Sequence, residues 1–223
     1  MAASSGGRYA RGVERRHALV AAAADLVIEQ GLAALSHRAV AVRAGLPLAS
    51  TTYYFSSVDD LRNEALDHIA QAWVTRARAV VDALPPHVDH DQAARAVTSI
   101  IGADAPSPQV LVMYERYLEA GRHSRLRTLV AAWNAQLTEL VQQVLLRAAI
   151  PVEDDSAGLV LALADGVAVT ALAEGTSPDA AVGAALTRLL PLLAAGPARA
   201  DPPSGVASPA RARQDRSHVR RHA

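Results

Sequence analysis

The chain has 223 residues, 51% of them apolar, and its formal charges cancel. That supplies a buried core for one domain or two small ones, and argues against a protein that coats nucleic acid indiscriminately. It has no cysteine, which excludes a disulfide framework, a thiolate nucleophile and a Cys-based zinc site.

Every cation in the chain is Arg, and several cluster near its start: Arg8, Arg11, Arg15 and Arg16 outweigh Glu14. Residues 1–12 are rich in Ser, Gly and Arg and are expected to form a disordered basic arm. No apolar core of a signal peptide follows. A first helix is expected from Glu14 to Gln30, with Leu19, Ala23, Leu26 and Val27 at helical spacing and Gly31 as its stop.

Residues 35–61, LSHRAVAVRAGLPLASTTYYFSSVDDL, carry the most information. Ser36 can cap a short helix that ends at Gly45, with Val40 and Ala44 on one face and Ala41 leaving room for a neighbour. Gly45 stands where the chain turns abruptly. Pro47 suits the first turn of a second short helix, Leu48 to Tyr54, which Phe55 closes. Ser57 and Asp60 read as a capping box opening a third segment. That is the spacing of a helix-turn-helix, in which one helix braces another that enters the DNA major groove. A generic helical hairpin shares the spacing.

A long helix is expected from Val58 to about Ala83, with Leu61, Ala65, Ile69, Trp73 and Val80 along one face and Pro85-Pro86 ending it. Beyond Asp91 the pattern stays helical, in segments 91–101, 107–121, 124–149, 156–174 and 178–194. Asp155 and Ser177-Pro178-Asp179 supply start signals for the last two. Residues 196–223 are rich in Pro, Ala, Arg and Ser and are expected to be a disordered, weakly basic tail. No stretch reaches about 18 uninterrupted apolar residues, since Asp165 breaks the longest and Arg188 and Pro191 the next. The expectation is an all-α cytoplasmic protein with no membrane partner.

Leu48, Ala49, Ser50 and Thr52 lie where the second short helix would face base edges; hydroxyls can hydrogen-bond there, and Leu or Ala can touch a thymine methyl. Tyr53 and Tyr54 are phosphate candidates through their hydroxyls, with Ser36, Arg38, Arg15 and Arg16 beside them. The plainer reading is that one tyrosine rings the core and the other is exposed. Phe55 is expected in the core.

Residues 13–68, about a quarter of the chain, resemble the N-terminal domain of the TetR/AcrR family of transcriptional regulators. The resemblance runs through Ala22-Ala23-Ala24, Gly31, Val40-Ala41, Ala44-Gly45-Leu46, Tyr53-Tyr54-Phe55 and Leu61. It implies a three-helix DNA-binding head, residues 13–57, on an α-helical ligand-binding and dimerisation body, residues 58–195, with about nine helices in all. It further implies a homodimeric repressor on a double-stranded DNA operator, released by a small-molecule effector, with no cofactor. The family commonly has a phosphate-contacting Lys where this chain has Val58, so one counterion's worth of affinity and salt dependence should be missing. Arg62 is the nearby substitute.

In the body, Met113, Tyr114, Tyr117, Trp133 and Leu137 could line a drug-sized pocket, with Glu115, Arg122, His123, Asn134 and Asp165 as polar anchors. Each is also an ordinary core or interface residue type. Asp165 stands out as a carboxylate in an otherwise apolar helix, where it needs a partner. Segments 156–174 and 178–194, with Gly158, Gly166 and Gly183 permitting close approach, could form a four-helix interface between two copies. His87 and His90 have no carboxylate-rich surroundings, and no metal site is expected. The rival reading is an all-α enzyme or small-molecule carrier whose hairpin only resembles a helix-turn-helix. No paired carboxylates, Ser-His elbow or phosphate-cradling Gly loop supports catalysis.

Overall fold

In the computed structural model, which describes residues 4–152 and 155–195, the first helix begins ten residues before its expected start. α1 runs Ser4–Gln30, so residues 4–12, expected as a disordered arm, are helical. Once α1 exists, each further turn adds hydrogen bonds without a new nucleus, and Ala10, Arg8 and Arg11 favour that extension despite Gly6 and Gly7. The expected disordered tail, 196–223, lies outside the described residues.

Gly31 ends α1 at φ +78° and leads into a 3₁₀ turn, Leu32–Ala34. α2 (His37–Arg43) is capped by Ser36, whose Oγ accepts from Ala39 N at 3.1 Å. Gly45 takes φ +62°, a conformation only Gly adopts freely, and Leu46 N closes the helix end onto Ala41 O at 3.0 Å. Pro47 stands at the N-cap of α3 (Leu48–Tyr54), one residue before the helical turn expected for it. α4 (Val58–Asp82) opens on Ser57, whose Oγ accepts from Asp60 N at 3.0 Å. The Asp60 carboxylate takes the Ser56 hydroxyl, so the expected reciprocal box is half formed.

α4 joins the two halves. Its first turns bury Leu61, Ala65 and Leu66; its later turns bury Ile69, Trp73, Val74, Ala77 and Val81. At its C-terminus the Arg147 side chain donates to the Val81 and Leu84 carbonyls. The body continues with α5 (His90–Ile100), α6 (Ser107–Arg122), α7 (Ser124–Arg147), α8 (Ser156–Ala173) and α9 (Pro178–Ala195). α5 starts from a full capping box, with Gln92 N donating to Asp89 Oδ1 at 2.6 Å and Asp89 N to Gln92 Oε1 at 3.0 Å. Ser177 caps α9 as expected, accepting from Ala180 N at 3.3 Å.

Asp155 does not cap α8. It sits at φ +67° with no side-chain cap bond, its Oδ1 2.2 Å from where a Cβ on Gly158 would be. A Cβ at Gly158 would require the exposed Asp155 side chain to move aside, whereas the Cβ positions of Gly166 and Gly183 meet nothing within 4 Å.

α8 and α9 are each long and apolar enough to cross a membrane by length and composition alone, with Asp165 and Arg188 interrupting their apolar runs as expected. They pack on each other and on α7 and α5, burying Val160, Leu161, Ala164, Ala168, Val182, Leu186 and Leu190 in the common core. α9 continues through Pro191, whose missing N–H falls on an exposed face.

Candidate nucleic-acid interface and aromatic chamber

α2 and α3 are held as a unit against α1. Val40, Ala41 and Thr51 are buried, and the Thr51 hydroxyl is satisfied by Leu48 O at 2.8 Å. Arg43 grips Glu29 on α1 through two parallel contacts, one of 2.8 Å, and this hydrogen-bonded pair holds the Glu29 carboxyl below its usual range. What remains outward on α3 is Leu48, Ala49, Thr52 and Tyr53, with Ser50 half-buried. Tyr53 is 81% exposed. Tyr54 is partly buried, its hydroxyl 3.6 Å from the Cβ position of Gly12 on α1, and the two rings meet edge to face at 4.9 Å. The plainer expectation for the pair matches this division, and Phe55 is core as expected.

The basic residues divide as well. Arg15, on α1, and Arg38, at the start of α2, are both exposed. Arg16 turns inward instead: it pairs with Glu64 on α4 at 2.7 Å and lies over the Phe55 ring at 5.5 Å. Ser36 is engaged in capping α2. Val58 is packed partly against the core, and Arg62 is bound to Asp59 at 2.8 Å, facing a cleft with Asn63, Arg122, His123 and Ser124. Arg62, the nearby substitute for the missing Lys, is thus held by its own helix's Asp59.

The body's polar groups converge where α6, α7 and α8 meet. Tyr114 donates to Asp165 Oδ1 at 3.2 Å; the Tyr117 hydroxyl lies 2.8 Å from Asn134 Oδ1 and 3.3 Å from Asp165 Oδ2. One hydroxyl has one proton, so both Tyr117 contacts are served when the Asn134 amide presents its NH2, or when Asp165 is protonated. Burial raises the Asp165 carboxyl above its usual range, against the lowering effect of the two phenol hydrogen bonds and of Arg116. Burial, then the Asp165 charge, pushes both phenols up.

Arg116 stands in the middle of this group. It is 4% exposed, its guanidinium 3.2 Å above the Trp133 ring centre and 5.0 Å from that of Tyr117. Burial pulls it down to about 10, so it remains charged at neutral pH. Sequence reasoning missed it because a lone Arg reads as surface, although it falls in the buried stripe of Met113, Arg116 and Ala120 at helical spacing.

Of the expected ligand residues, Tyr114, Tyr117, Trp133, Asn134 and Asp165 come together with Arg116. Met113 borders them through a 3.8 Å contact from Arg116 Nη1 to its sulfur, and Leu137 is core. His123 and Arg122 do not join them: His123 is exposed at the α6–α7 corner beside Glu119 at 3.3 Å, and both line the cleft with Arg62 at the start of α4 instead. Glu115 faces the end of α1, near Gly31.

Two family models match the chain: "Bacterial regulatory proteins, tetR family" over residues 19–65, and "Tetracyclin repressor-like, C-terminal domain" over residues 88–192. No curated protein matches significantly. Among solved structures, a member of the TetR family from Streptomyces coelicolor A3, SCO1917, is 32% identical with TM-score 0.60, over 79% of this chain and 98% of that one. The multidrug binding protein EbrR, solved with ethidium, is 31% identical with TM-score 0.60, over 78% of this chain and 98% of that one. EbrR with proflavin is 33% identical with TM-score 0.59, over 78% and 99%.

Proposed function

The chain belongs to the tetR family of bacterial regulatory proteins, and on that footing we propose that it is a homodimeric repressor that a small-molecule ligand releases from its DNA operator. Members of this family are regulators rather than enzymes. The observation that carries the proposal is α3, packed on α2, which in turn packs on α1, while Leu48, Ala49, Thr52 and Tyr53 are turned outward. Residues 13–57 are the DNA-binding head and 58–195 the body. Leu48, Ala49, Ser50 and Thr52 read bases; Tyr53, Arg15 and Arg38 hold phosphates.

Dimerisation is supported by the apolar side chains that α8 and α9 leave outward, Leu159 at 67% and Leu192 at 69% exposed, with the open glycines Gly166 and Gly183 nearby. It would place two copies of α3 in successive major grooves, roughly 34–36 Å apart. Ligand control is supported by the buried polar groups around Trp133, and by EbrR, solved with proflavin and with ethidium. A ligand that parts α4 from α7 moves the helix that carries the head. It weakens DNA binding by the difference in its affinity for the two arrangements. Such a protein works on DNA in the cytoplasm.

The test is a gel shift with DNA flanking the protein's own gene. A retarded complex that competes with the same sequence but not with random duplex supports the reading; no specific complex in the absence of ligand overturns it.

A further inference from the structure

The charges in the chamber are unequally satisfied. Both Asp165 oxygens meet tyrosine hydroxyls. Arg116 is less well served: among the described residues Nε and Nη2 have no hydrogen-bond partner of good geometry and Nη1 reaches only the Met113 sulfur, while the nearby Tyr117 and the Asp165 charge favour its charged form. A guanidinium does not shed its charge to relieve this, and buried donors left unpaired are costly. The planar fork is shaped to receive a carboxylate in two parallel hydrogen bonds. The face of Trp133, which an aromatic cage would offer to a cationic ligand, is already covered by the chain's own cation.

We infer that the chamber takes an apolar or aromatic molecule bearing a single carboxylate, and that Arg116 determines this specificity. The inference rests on the ligand-responsive reading above. The cavity beside Arg116 lies between α4 and α7, walled by Leu66, Ala70, Leu129, Val130 and Trp133, and measures about 10 Å³. It is apolar and too small for more than a water, so the ligand's hydrocarbon body enters by separating those helices. Asp67 borders the same cavity and its charge opposes any anion there, so the ligand carries no more negative charge than the one guanidinium of Arg116 can pair.

The experiment titrates the full chain with 1-naphthoate and with its cationic counterpart 1-naphthylmethylammonium, followed by indole fluorescence. The expected result is naphthoate binding at least about tenfold tighter, a preference that Arg116→Gln erases and Arg116→Lys keeps in sign. If Arg116→Gln fails to fold, the wild type and Arg116→Lys decide. The inference is overturned if the amine binds the wild type as tightly, or if neither probe binds. DNA release is read separately by gel shift. Naphthoate that binds without releasing DNA overturns ligand release and leaves the Arg116 assignment standing; a chain that never binds DNA overturns the regulator reading alone.

Discussion

The carboxylate of Asp165 and the hydroxyl of Tyr117 lie 3.3 Å apart, tying α8 to α6 inside the body. Burial raises this carboxyl above its usual range, so the folded chain binds the proton more tightly than the unfolded one. Its contribution to stability is present at low pH and is lost as pH rises from the ordinary aspartate value through the raised one. Asp165→Asn, which keeps an acceptor for the phenols, should therefore melt higher than the wild type at pH 7. The gap should close below about pH 3.9. A lower melt at neutral pH would show that Arg116 stabilises the carboxylate more than burial penalises it.

Much of the architecture was legible because it rests on local chemistry. Ser36, Gly45, Ser57 and Ser177 punctuate the chain through bonds to backbone three to five residues away, and they do so in the fold. Charges were harder to read. Arg16 and Arg116 are both turned inward by partners far along the chain, Glu64 for one and the Trp133 ring for the other. Asp89 and Gln92 spelled a capping box, so the start of α5 was readable one residue before the expected 91.

α7 ends in a left-handed turn at Ala149, φ +55°, with Ile150 N returning to Leu145 O at 3.0 Å. The equivalent turns after α2 and α5 use Gly45 and Gly102. Ala149→Gly should remove the Cβ strain and stabilise the protein by about 0.5–1 kcal/mol, despite the entropy Gly gains when unfolded. Chemical denaturation measures it; an unchanged or lower midpoint would mean the turn bears no strain.

Trp73 packs across Gly102, with its Cζ2 1.5 Å from the Cβ position there, and its indole N–H donates to Ile100 O at 3.0 Å. Gly102→Ala meets both that ring and the φ of +71°, and should destabilise by about 3 kcal/mol or more. Near-UV circular dichroism should show the displaced indole. A variant with wild-type stability would contradict the packing.

Leu159→Arg combined with Leu192→Arg places charge on the outward faces of α8 and α9, away from the core. Sedimentation should change from dimer to monomer with the helical signal intact. If the double variant sediments as the wild type does, the interface lies elsewhere.

The most direct measurement of the central claim is fluorescence anisotropy on a duplex from beside the protein's own gene, for the wild type and Tyr53→Phe. Tyr53 is the most exposed aromatic on α3. The account predicts a wild-type complex about 10³-fold or more tighter than on random duplex at the same salt. Tyr53→Phe should be several-fold weaker on all sequences, with an unchanged salt slope because no charge is lost. Equal affinity for operator-flanking and random DNA would contradict it.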